Sequence, residues 1–142
     1  MSFDCKVGDT AFILDGGGGH KYVVLTNPNT DGKVVRVNFT TSINRADGGK
    51  LYTPSDDKDL FQFPSIVPYK LAELYPCDVL REQANRKDVV NHYKPCPQDI
   101  MKQIIQDAFE SQFTKGDVIE ELRVSYPNEY DQYYKDPDTE SA

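Results

Sequence analysis

The chain has 142 residues, 38% of them apolar, and a formal net charge of −7. That length suits one ordinary domain with a real core, and no apolar run approaches the roughly 20 residues needed to cross a bilayer. The charge is uneven: residues 117–142 hold eight acids and two bases, the other 116 hold fifteen acids and fourteen bases, so the body lacks the basic excess of a nonspecific nucleic-acid binder.

From the N-terminus to about residue 75 the pattern is one of strands and turns. Residues 10–14 form a short apolar run closed by the glycine-rich stretch 15–19, and residues 22–26 form a second, ended by the Asn, Asp, Pro and Gly of 27–32. Residues 33–41 are the best strand. Their alternation sets Val35, Val37 and Phe39 on one face and Arg36, Asn38 and Thr40 on the other. Polar loops are expected at 44–50 and 54–59. Residues 60–63 and 66–74 are strand-like, with Pro64 and Pro68 confining them to edges or bends. Short strands with frequent turns suggest a barrel or sandwich.

The second half changes period. Asp78 can cap a helix over 79–86, and Pro97 suits the start of a stronger one reaching about Phe113. In it Ile100, Met101, Ile104, Ile105, Ala108 and Phe109 form one apolar stripe. Gly116 reads as a stop, and Asp117 as the cap of a short helix with Val118, Ile119 and Leu122. The expected division is a single domain over 1–125 and an acidic, tyrosine-rich, partly disordered tail over 126–142.

Asp4 and Lys6 stand where an export signal would carry its apolar stretch. Cys5, Cys77 and Cys96 are odd in number and lack framework spacing. Both features suggest reduced thiols in a cytoplasmic protein. Cys77, His92 and Cys96, with Cys5 as a fourth ligand, invite a zinc reading. Only His92 and Cys96 have ligand-like spacing, so no metal or other cofactor is assigned. The four glycines 16–19 lack the Gly-Lys-Ser/Thr of a phosphate loop.

Three stretches carry a resemblance. Val7-Gly8-Asp9 precedes the first strand. His20-Lys21-Tyr22-Val23-Val24-Leu25-Thr26 forms the second, and Val37-Asn38-Phe39-Thr40-Thr41-Ser42 ends the third. Ser65-Ile66-Val67-Pro68-Tyr69 adds a weaker match. In order and spacing these resemble the PemK/MazF-like toxins of type II toxin–antitoxin systems. The resemblance implies a mainly β, α+β fold: a small SH3-like barrel with C-terminal helices. It also implies a metal-independent endoribonuclease acting on single-stranded RNA, an antitoxin partner, and a possible homodimer. Thr40 falls on the family's threonine position. His20 and Lys21 replace its Arg-Pro, with His20 as proton donor or acceptor. Lys21, Arg36, Asn38, Thr41 and Ser65 are the implied substrate contacts. Each has an ordinary reading beside it: β-branched threonines favour any strand, His20 can simply end a turn, Arg36 can be a solvated strand charge, and Ser65 can belong to a turn. The alternative function is a non-catalytic module that binds a protein or nucleic-acid partner.

Overall fold

The computed structural model describes residues 4–14, 19–41, 49–85, 89–91 and 94–134. Five strands, β1 (Thr10–Leu14), β2 (Gly19–Val24), β3 (Lys33–Phe39), β4 (Glu73–Pro76) and β5 (Val89–Asn91), combine with four helices, α1 (Cys77–Asn85), α2 (Gln98–Glu110), α3 (Gly116–Ser125) and α4 (Pro127–Tyr134). The sheet is antiparallel, in the order β4-β3-β2-β1-β5.

That order corrects the SH3-like barrel expectation. Among the described residues the ladder ends at β4 on one side and β5 on the other, and the sheet stays open. Closure needs its two edges to pair in a consistent stagger. Here β4 stops at Pro76 and the chain passes straight into α1. Residues 50–66, which would have to supply further strands, give only the isolated bridges Thr40↔Ile66 and Tyr52↔Ser65. The expected strand at 60–63 is replaced by turns, and of that at 66–74 only Glu73 and Leu74 lie in a named strand, the start of β4. Tyr69–Leu71 form a 3-10 turn in which the Leu71 N–H donates to the Pro68 carbonyl. The fold is α+β, with an open sheet.

Alternation along the strands builds a core on each face. Val23, Leu25, Val35, Val37 and Phe39 point to the larger one, where they meet the α2 stripe of Ile100, Met101, Ile104, Ile105, Ala108 and Phe109, and Val118 and Leu122 of α3. Tyr52 and Phe61 stack in the same core, 5.0 Å between centroids. On the other face Ala11, Ile13, Val24 and Val34 form a smaller core with Cys5, Cys77 and Leu80 of α1. A disulfide joins Cys5 to Cys77 there, which corrects the expectation that all thiols are reduced. The 72-residue separation gave no spacing signal.

The helix expectations hold with shifted ends, except that Asp78 lies within the first turn of α1 instead of capping it, and the expected end at 86 falls outside the described residues. Helix α2 stops at Glu110 because the backbone at Ser111 turns extended (ψ 127°). Gly116 opens α3 instead of ending a helix, and Asp117 accepts from the Val118 N–H. Within the stretch read as tail, α4 packs on α2: Tyr130, Tyr133 and Tyr134 all lie within ring contact of Phe109, and the Tyr134 hydroxyl donates to the Phe109 carbonyl. Among the described residues no helix is long and apolar enough to cross a membrane.

Candidate functional site

Strand register decides which of the sequence-derived residues meet. Strand β2 pairs with β3 through Lys21↔Phe39, Tyr22↔Asn38 and Val24↔Arg36. Carried one step further, this register sets His20 across from Thr40, and cross-strand neighbours have Cβ atoms roughly 4.5–5.5 Å apart. Successive residues face opposite sides, so His20, Tyr22, Arg36, Asn38 and Thr40 share the face of the smaller core. His20 and Thr40 are both half-buried. The Thr40 backbone is fixed by a reciprocal pair of hydrogen bonds with Ile66, each 2.9 Å.

Lys21 is on the opposite face. Its ammonium donates to the Leu60 carbonyl, and burial lowers its pKa, with Asp57 nearby pulling the other way. The chain neighbours His20 and Lys21 therefore do not form one site. Ser65 is buried next to Ile66, the bridge partner of Thr40, and its hydroxyl donates to the Phe63 carbonyl at 2.8 Å, the turn role weighed for it. Thr41 is exposed, one residue beyond Thr40.

Arg36 is 8% exposed and already engaged. Its guanidinium lies over the Tyr22 ring at 4.1 Å and the Tyr75 ring at 3.5 Å, while Nε and Nη2 donate to one oxygen of Glu73 at 3.1 and 2.7 Å. The solvated-charge reading of Arg36 fails because β4 brings Glu73 opposite Arg36 and Tyr75 opposite Val34. The His20 ring follows Tyr22 at 6.1 Å. The result is a ladder of His20, Tyr22, Arg36 and Tyr75, leading from the His20–Thr40 corner toward the β4 edge. Tyr22, Glu73 and Tyr75 were absent from the sequence-derived set. Tyr22 carried a signal, two residues after His20, but Glu73 and Tyr75 depend on a β3–β4 register that sequence does not specify.

Chemically, the corner offers an imidazole, a hydroxyl and the Asn38 amide, with a guanidinium immobilised behind them. For zinc, Cys5 and Cys77 are bonded to each other and Cys96 is buried against the larger core. His92 lies outside the described residues, and among those described no three His, Cys, Asp or Glu side chains group to hold a metal. The glycines 16–18 lie outside them too. Comparison with known protein families, curated proteins and solved structures finds no match to this chain.

Proposed function

We propose that this chain is a PemK/MazF-like, toxin-type endoribonuclease that cleaves single-stranded RNA without calling on a metal and is neutralised by a partner protein. The observation that carries the reading is the β2–β3 register, whose last pair is Lys21↔Phe39 and whose continuation by one step sets His20 opposite Thr40, the positions onto which the resemblance carries its reacting groups. In the reaction the RNA's own 2′-hydroxyl attacks the adjacent phosphorus. His20 takes its proton as the new P–O bond forms, and the bond to the 5′-oxygen breaks. That oxygen takes a proton from solvent water as it leaves, and His20 later releases its own to solvent, so the products are a cyclic phosphate and a free 5′-hydroxyl. The Thr40 hydroxyl and the Asn38 amide orient the phosphate oxygens. Arg36 acts as a positioning residue, holding Tyr22 and thereby the His20 ring.

A second reading, a non-catalytic module binding a protein or nucleic-acid partner, is favoured by one specific observation. With Arg36 tied to Glu73, the described residues of the corner supply no uncommitted guanidinium to meet charge on a phosphorane. Mixed single-stranded RNA incubated with the protein in EDTA separates the two. The nuclease reading expects cleavage that falls at least about 100-fold in His20→Ala and Thr40→Ala, the scale of a lost general acid–base group. Intact RNA at high concentrations of folded protein would instead select the module.

A further inference from the structure

On the side of the larger core, remote from the His20–Thr40 corner, a groove of about 610 Å3 opens between the N-terminal loop, the start of α2 and the α3–α4 junction. That volume lies within the ordinary range of binding pockets. Its walls are apolar, with Val7, Cys96, Met101 and Ile105 among them. They are also preformed. The Gly8 N–H donates to the Val24 carbonyl and the Cys96 N–H to the Gly8 carbonyl, and the Tyr126 hydroxyl donates to the Leu25 carbonyl, so each wall is tied to the sheet or to its neighbour.

The Cys96 thiol in the groove wall is not poised as a nucleophile. Burial, reinforced by Asp57 and Asp99, pushes the Cys96 thiol up to about 12, and a thiol held protonated does not react. What the groove offers is shape and charge. Asp99 and Glu129 line it together with Lys102, two carboxylates against one ammonium. The acidic character continues beyond it: residues 116–134 carry five acids and one arginine, and Glu120 engages that Arg123.

We propose that this groove docks a basic segment of a protein partner, a bulky apolar side chain entering between Val7 and Met101 and flanking lysines or arginines meeting Asp99 and Glu129. The apolar wall supplies burial, and the carboxylates select sign and register. The acidic helices beyond the groove favour a chain with several positive charges over a small amine.

The chain contains no tryptophan, so the fluorescence of a tryptophan-bearing peptide reports on the peptide alone. The test titrates full-length protein into an amphipathic leucine–lysine peptide with one tryptophan, and into its leucine–glutamate counterpart. The basic peptide is expected to bind at least about tenfold more tightly, and the pair Asp99→Lys with Glu129→Lys to weaken it by a similar factor. Val7→Arg, at a wall position 39% exposed, is expected to weaken it too. The pair Asp31→Lys with Glu82→Lys makes the same charge change at exposed positions outside both the groove lining and the acidic helices, and is expected to leave binding within about twofold. Absence of binding, equal binding of the acidic peptide, insensitivity to the groove variants, or an equal loss in the Asp31→Lys, Glu82→Lys pair would each overturn the proposal. None of these readouts depends on RNA cleavage.

Discussion

Arg36 has its guanidinium between the rings of Tyr22 and Tyr75 and two of its donors on one oxygen of Glu73. The two kinds of contact differ in weight. The Glu73 side chain is 41% exposed, so solvent screens the ion pair and its share is small. The stacked guanidinium is desolvated by two rings, the setting in which such contacts are strongest. Lysine keeps the charge and loses both the planar stack and the forked donation. Arg36→Lys is therefore expected to cost about 1–2 kcal/mol and Glu73→Gln less than about 1 kcal/mol, read from urea midpoints. Equal losses would place the stabilisation in the ion pair instead. Sequence alternation identified the face of Arg36, because a period of two needs only one strand. Its partners belong to β2 and β4, separated from it by 14 and 39 residues in the cases of Tyr22 and Tyr75.

At the scale of elements, the Cys5–Cys77 disulfide fastens the segment before β1 to the first residue of α1, closing a separation of 72 residues. Cys5 has φ of 59°, a left-handed conformation that non-glycine residues adopt at a cost, and the bond holds it there. Loops of this length bring about 4 kcal/mol through restriction of the unfolded chain. Cys77→Ser is expected to lower unfolding stability by that order, and dithiothreitol to do the same to the wild type and nothing to the variant. Thiol counting in unreduced, urea-unfolded protein should return Cys96 alone; three reactive thiols would remove the disulfide from the account. Such bonds persist in oxidising surroundings and are rare in the cytosol, so the same count made on protein taken directly from its host bears on the cytoplasmic expectation.

Over the whole molecule, titratable groups on both sides of neutrality set a window of stability. Burial opposes charge on the Asp57 carboxylate, but Lys94 and the N–H groups of Leu60 and Asp59 outweigh it and hold its pKa below the usual value. A depressed carboxylate pKa contributes stability above its unfolded value, lost as pH falls below about 4. At the other end, burial raises Tyr52 and Tyr126, aided by nearby acids that include Asp107 and Glu129 respectively. A raised phenol pKa contributes stability that disappears as the unfolded tyrosines ionise, above about pH 10. Thermal midpoints measured across pH are expected to form a plateau falling at both edges. Tyr52→Phe should flatten the alkaline edge, and Asp57→Asn the acidic one. An unchanged alkaline slope in Tyr52→Phe would assign that edge to other groups.

The amino-acid order by itself determined the local periods. It determined the alternation of residues 33–39, the stripe on α2 and the concentration of acid near the C-terminus, because each depends on residues within a few positions of one another. The tertiary structure alone decided whether the sheet closed, since closure depends on pairing between its edges, and Pro76 leads the chain into α1 instead. It also decided that Lys21 turns to the face opposite His20, that Cys5 finds Cys77, and that the tyrosines of α4 cover Phe109. The contacts of Cys5 with Cys77 and of the tyrosines with Phe109 join residues 21 to 72 apart, and burial of two apolar faces on one sheet, which no short window of sequence encodes, brings them together.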